Sequence, residues 1–282
     1  FVIYMRIGII SRTDKEEAIE LDDTIIKYLF ENNIEVELDS QLTKKLPQYS
    51  ENSVDITKMN ADIVLCVGGD GTVLHAQRYL SPKKIPILSI NMGTVGFLTE
   101  VDPEDIFECL DKLLSYDFFI EERLQLDVLI DSQWHTVLNE LVLMTSQPAK
   151  MLDLRVSVDE EIVDEVRADG LIISTPSGST AYAMSAGGPI VDPRVDAAII
   201  IPICPFKLNT RPKIVPADSI ITVKFLKEGK KGVAVLDGIV NKEFDYLGEI
   251  KLKKSENSAY FVRFKKNFYN SVTVSYTHLT LP

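Results

Sequence analysis

Hydrophobic positions over the first part of the chain switch between short apolar runs and helical spacing. Met5 to Ser11 reads as a first strand, Ile34 to Leu38 as a second and Ile63 to Val67 as a third. Between the first two, Ala18, Leu21, Ile25 and Leu29 recur at helical spacing, and Thr13-Asp14-Lys15-Glu16 ahead of them predicts a capping box. A helix over 72–80 ends before Ser81-Pro82, and Ile85 to Ile90 is a further short strand. Asp102-Pro103 supplies an N-cap and an N1 proline for a helix over about 103–115. Strands alternating with helices predict a doubly wound parallel sheet.

Around residue 119 the period changes. Leu124, Leu126, Val128 and Ile130 alternate with polar residues, as do Leu154, Val156 and Val158, and Ile221, Val223 and Phe225. Period two predicts a β-rich second domain, interrupted by one helix over about 178–186. Tyr260 to Phe264 reads as a last strand. The domains so predicted are residues 1–118, α/β, and 119–261, β-rich, with about 262–282 packing back on the first. Residues 1–4 precede Met5, which reads as a natural start, and 273–282 carry neither helical period nor core role. Non-native sequence at one or both ends is the expectation.

Composition narrows the partners. The chain has 282 residues, 26% charged and 45% hydrophobic, with a net charge of −12. A strongly acidic protein does not present the basic stripe that nucleic acid selects, so none is expected as a partner. An anionic ligand would be held by local cations, backbone amides and metal. No apolar run of about 18 residues occurs, so no membrane span is predicted. The three cysteines, Cys66, Cys109 and Cys204, have no ligand-like spacing and read as buried, reduced thiols of a cytoplasmic protein. His75, His135 and His278 do not cluster, and no side-chain metal site is predicted.

The densest chemistry is Gly68-Gly69-Asp70-Gly71-Thr72, between the apolar run 63–67 and a helix start. Three glycines are expected to turn the chain with positive φ and to admit a ligand to the backbone. Amides at a helix N-terminus cradle phosphate. A carboxylate inside such a cradle repels the ligand unless metal binding or proton transfer justifies it. The stretch therefore points to phosphoryl transfer with Asp70 as base or metal ligand; the alternative is a tight turn with a helix-capping Asp.

Other stretches add to this. Arg167 to Tyr182 runs from an apolar strand into a loop of Ser, Thr, Pro and Gly and then a small-residue helix. Its Ser177-Gly178-Ser179-Thr180 suits ribose or phosphate, or else simply caps a helix on a sheet. Asn91-Met92-Gly93-Thr94-Val95-Gly96-Phe97 places an aromatic at a strand end, a ligand contact or a core Phe. Asn139-Glu140, polar between apolar runs, is a strand end or a ligand contact. Asp237-Gly238 reads as a β-turn.

Taken in order, these stretches resemble the NAD kinase family, its archaeal branch in particular, from Met5 to about Asn270. Gly68 to Thr72 alone is shared with lipid kinases and phosphofructokinases. Asn91 to Phe97, Asn139-Glu140 and Asp169 to Pro193 make the resemblance specific. It implies an α/β N-terminal domain and a β-rich C-terminal domain with NAD bound between them, in a homodimer or homotetramer. It also implies MgATP or polyphosphate as donor and Mg²⁺ as the metal, held mainly by the donor phosphates. Asp70 matches the family's general base. Gly68, Gly69, Gly71 and Thr72 fall in the donor-phosphate turn. Asp70, Gly71, Phe97, Asn139, Glu140, Asp169, Ser177, Thr180, Ala181, Tyr182 and Ser185 match dinucleotide contacts, and His75, Lys150 and Arg167 fall where the family often carries further ones. Ile239 departs from the polar residue usual in the family after Asp237-Gly238. The rival readings are a lipid or sugar kinase, against which the 169–193 block speaks, and a dinucleotide-binding sensor without turnover.

Overall fold

Apolar runs too short for helices, each followed by an amphipathic segment, form the first sheet. In a computed structural model, described for residues 5–93, 96–147, 149–207, 209–244, 248–265 and 268–269, these segments are β1 (Arg6–Ser11), α1 (Glu16–Glu31), β2 (Glu35–Asp39), α2 (Ser40–Thr43), β3 (Ser53–Val54), β4 (Ile63–Gly68), α3 (Asp70–Leu80), β5 (Ile87–Asn91), α4 (Ile106–Leu114) and β6 (Phe119–Arg123). There follow β7 (Leu126–Ile130), β8 (Gln133–Val137), β9 (Glu140–Thr145), β10 (Leu152–Val158), β11 (Glu161–Ser174), α5 (Tyr182–Ser185), β12 (Ala197–Pro205), β13 (Lys213–Pro216), β14 (Ile221–Phe225), β15 (Gly232–Leu236), β16 (Val240–Phe244), β17 (Glu249–Lys254) and β18 (Ala259–Arg263). The predicted ends at 1–4 and 273–282 lie outside the described residues, as do Thr94 and Val95.

The chain divides into two compact units, one of the residues up to Glu122 together with those from Ala259 on, the other Arg123–Ser258. The first holds a seven-stranded sheet in the order β3-β2-β1-β4-β5-β18-β6. Its pairings from β3 through β18 are parallel. Helices α1 and α4 cover the face of Ile7, Ile9, Leu65, Val67, Leu88 and Ile90. The chain runs outward from β1 to β3 in one direction and from β4 to β5 in the other. The order therefore reverses between β1 and β4, the position where open α/β sheets bind ligands at their carboxyl ends.

The second unit is antiparallel, ordered β16-β15-β9-β11-β10-β14-β17-β7-β8, with β12 and β13 branching from β11. Alternate residues of its strands, among them Leu126, Val128, Leu154, Val156, Leu171, Ile173, Val223 and Leu252, fill one core. Around β9, β11 and β12 a second cluster, Val142, Ile172, Ala183, Ile199 and Ile201, covers the other face. Strands buried on both faces read as continuous apolar runs, which is why 170–173 and 197–203 lack alternation.

Four local expectations change. The N-cap of α1 is Lys15, without a side-chain cap bond, because Asp14 pairs with Arg12 at 2.7 Å instead of closing a capping box. Asp102 makes no cap bond either; Pro103–Asp105 is a 3₁₀ turn and the α-helix starts at Ile106. The helix predicted over 178–186 is a 3₁₀ turn, Ser177–Thr180, then α5, separated by Ala181 at φ −94°, ψ −133°. Only Cys66 is buried; Cys109 is half-buried and Cys204 exposed.

Candidate active site

The first cluster forms where β4 runs into α3. Gly69 is the N-cap at φ −97°, ψ −173°, ordinary extended backbone, and Asp70 opens the helix. The positive φ expected of the glycines is absent: neither Gly68, Gly69 nor Gly71 has it. An extended cap already turns strand into helix, so their use is spatial. A Cβ on Gly68 would lie 2.2 Å from Thr72 Oγ1, whereas Gly69 and Gly71 face open space. That opening exposes the first turn of α3, where the Thr72 N–H donates to the Gly69 carbonyl at 2.9 Å and the Asp70 and Gly71 amides, at the helix start, have no acceptor within the helix.

Asp70 is held from the 96–98 segment. The Phe97 N–H donates to Oδ2 at 3.0 Å and the Leu98 N–H to Oδ1 at 3.1 Å. A Cβ on Gly96 would lie 2.3 Å from Oδ1, so only glycine lets this segment approach. Burial pushes the carboxyl pKa up, while the Phe97 and Leu98 amides and the Arg263 guanidinium draw it down. The result is a fixed carboxylate with unused lone pairs beside a helix N-terminus, suited to accepting a proton next to bound phosphate.

The second cluster lies within the other unit. Asp237 sits in a turn with Gly238, both at positive φ (51° and 66°), closed by the Ile239 N–H on the Leu236 carbonyl. Beyond turning the chain, its carboxylate accepts the N–H groups of Leu138 (2.8 Å), Asn139 (2.7 Å) and Glu140 (3.0 Å). From the other side the Thr175 N–H donates to the Asn139 carbonyl at 2.8 Å and the Thr175 hydroxyl to the Leu138 carbonyl at 2.5 Å. A Cβ on Gly178 would lie 2.2 Å from the Asn139 carbonyl oxygen. Asn139 and Glu140 are thus clamped on both sides, yet Asn139 Oδ1 and Glu140 Oε2 are buried without a partner. Buried orphans of this kind fit a ligand that completes them. Burial, and secondarily the Asp237 charge, pushes the Glu140 carboxyl up to about 8.

The sequence matches the descriptions "ATP-NAD kinase N-terminal domain" over residues 7–118 and "ATP-NAD kinase C-terminal domain" over 138–264. The chain belongs to the NAD kinase family. It is 52% identical over 268 residues to the NAD kinase of Methanothermobacter thermautotrophicus, covering 95% of both chains. Its fold is similar to that of yeast NADH kinase complexed with NADH, at TM-score 0.87 and 25% identity over 95% of this chain and 86% of that one. It is also similar to an NAD kinase from Archaeoglobus fulgidus in complex with ATP, at TM-score 0.77 and 34% identity over 94% and 96%.

The residues suggested by the NAD kinase resemblance distribute unevenly. Asp70, Gly71 and Phe97 gather in the first cluster. Asn139, Glu140, Ser177, Thr180 and Ala181 gather in or beside the second, with Tyr182 exposed and its hydroxyl 3.9 Å from the Met144 sulfur. Asp169 is half-buried on β11. Ser185 and Lys150 are exposed, His75 is exposed on α3 with its ring against Tyr79, and Arg167 lies over the Phe206 ring at 5.6 Å. Among the described residues no hydrogen bond or ion pair joins Lys150 or Arg167 to the second cluster. Sequence reasoning missed the Leu98 amide and the clamp made by Asp237. An Asp-Gly pair signals a turn, but nothing local in it signals what the carboxylate binds.

Proposed function

We propose that this NAD kinase transfers the terminal phosphoryl group of ATP, or of polyphosphate, to the 2′-hydroxyl of the adenosine ribose of NAD, giving NADP. The observation that carries the reading is Asp70, fixed by two backbone amides at the helix N-terminus on the switch point of a parallel sheet. The ribose oxygen forms the new bond to phosphorus, the donor's bridging oxygen leaves with its electron pair, and the hydroxyl proton passes to Asp70. General base catalysis contributes about 10²–10⁴ in rate, and alignment and charge neutralisation the rest.

On this reading the open backbone at Gly68, Gly69, Gly71 and Thr72 receives donor phosphates. Gly71, Phe97, Asn139, Glu140, Asp169, Ser177, Thr180, Ala181, Tyr182 and Ser185 contact NAD, with His75, Lys150 and Arg167 at its periphery. Asn139 Oδ1 takes a donor from the ligand, and Glu140, neutral at pH 7, can itself donate. Among the described residues no three His, Cys, Asp or Glu side chains cluster. On this reading Mg²⁺ is carried mainly on the donor phosphates. The metal would neutralise charge on the transferring group. The same reading has the enzyme working in the cytoplasm as a homodimer or homotetramer.

The test is incubation with NAD, ATP and Mg²⁺, reading NADP with an NADP-specific dehydrogenase, with Asp70→Asn in parallel. NADP from the wild type and a loss of about 10²-fold in the variant are expected. No NADP with either ATP or polyphosphate overturns the activity; near-normal turnover in Asp70→Asn removes the base role.

A further inference from the structure

Arg263, on the strand β18, is almost wholly buried, its side chain 6% exposed. It pairs with Glu100 at 3.0 Å, itself 4% exposed, and with Glu121 at 2.8 Å. The Phe264 N–H donates to the other Glu100 oxygen at 2.9 Å. Desolvating such a group offsets much of the Coulomb gain, so stability alone is a weak reason to keep it.

Besides lying over the Phe261 ring at 5.2 Å, the guanidinium makes a further contact that suggests another reason. Arg263 Nη1 donates to the Leu98 carbonyl at 3.3 Å, and the Ser89 hydroxyl donates to the same oxygen at 2.7 Å. The N–H of that same Leu98 holds Asp70 Oδ1. Gly96, two residues earlier, has no room for a side chain against that oxygen. One residue therefore links the buried guanidinium to the carboxylate.

We propose that Arg263 is a positioning residue for Asp70, fixing Leu98 so that the Asp70 carboxylate keeps a single orientation. The inference rests on the base role argued above. Arg263 also supplies the positive charge that acts on Asp70. Other cations at this sheet edge are engaged elsewhere: Arg12 pairs with Asp14, and Lys15 Nζ donates to the Met92 carbonyl at 3.3 Å. The carboxylates in contact with Arg263 are Glu100 and Glu121.

The experiment compares the wild type, Arg263→Lys and Arg263→Gln by two readouts. One is the carboxyl ¹³C titration of aspartate-labelled protein, with the Asp70 signal assigned by its absence in Asp70→Asn. The other is kcat and KM for NAD against pH. In Arg263→Gln the Asp70 midpoint and the acid limb of kcat are expected to rise together by about one pH unit. Turnover should fall about 10²-fold with KM within about threefold. Arg263→Lys keeps the charge and loses the fork, so its midpoint should stay while kcat falls about tenfold. An Asp70 titration and kcat as in the wild type in either folded variant overturn the proposal. So does a kcat loss equal to the unfolded fraction with the limb unmoved. If Arg263→Gln does not fold, Arg263→Lys decides by the same criteria. A wild type that makes no NADP overturns the function instead, and the carboxyl titration still tests the hold of Arg263 on Asp70.

Discussion

The Asp237 carboxylate accepts the Asn139 backbone N–H at 2.7 Å across 98 residues of chain. With the neighbouring amides of Leu138 and Glu140 it forms a three-donor clamp. Asp237→Ala leaves three buried donors without an acceptor and puts a Cβ-bearing residue with no local side-chain bond at φ 51°. The unfolding free energy is expected to fall by about 3 kcal/mol, read by urea denaturation, with a raised KM for NAD. Asp237→Asn, which keeps one acceptor oxygen and tolerates the conformation, should lose less.

Glu140 is protonated at neutral pH, its carboxyl pushed up to about 8 by burial and by Asp237. NAD affinity, measured by calorimetry, should hold from pH 6 to 7 and weaken as pH passes 8, where the acid loses its proton. Glu140→Gln keeps a neutral donor, so its affinity at pH 7 should stay within about threefold and the alkaline decline attributable to this residue should vanish.

Asp22, on α1, is fully buried and neither carboxyl oxygen has a hydrogen bond of ordinary geometry; the nearby Ser11 hydroxyl donates to the Val67 carbonyl at 3.3 Å and only weakly offsets the effect of burial on Asp22. Burial lifts its carboxyl to about 8 from an ordinary 3.8. Between these values the unfolded chain has released the proton and the folded one keeps it. The contribution of Asp22 to stability therefore falls with rising pH, with a slope of about 1 kcal/mol per pH unit. Asp22→Asn should flatten this dependence. Chemical denaturation at pH 5 and pH 8, wild type against variant, reads the difference, and parallel curves would show that Asp22 is already ionised.

Two glycines separate folding from chemistry. In Gly96→Ala the new methyl meets Asp70 Oδ1 at 2.3 Å, so kcat should fall about 10²-fold in a protein that still folds. In Gly69→Ala the methyl meets nothing, so stability should change by about 1 kcal/mol or less, while KM for the phosphate donor rises. Circular dichroism and steady-state kinetics on both variants check the pair.

Local patterning made the larger divisions of the fold legible. Helical spacing in α1 and period two in β7, β10 and β14 depend only on neighbours in the chain, because a helix or strand presents one face at a fixed interval. The strand–glycine–Asp–helix order likewise placed Asp70 at a sheet edge. The Arg12–Asp14 pair that displaced the capping box, and the break at Ala181, arise from competition among contacts that spacing does not rank.

By itself the sequence determined the two kinds of secondary structure, their order, the family and the carboxylate at the turn, since each is written in residues adjacent or periodic along the chain. Tertiary structure decided what holds the functional groups. Arg263 reaches Leu98 across 165 residues, and Asp237 reaches Glu140 across 97. It also decided that β18, near the end of the described chain, pairs with β5 inside the first sheet. Contacts that distant leave no local period, and the burial that raises Asp22 and Glu140 exists only once the layers close around them.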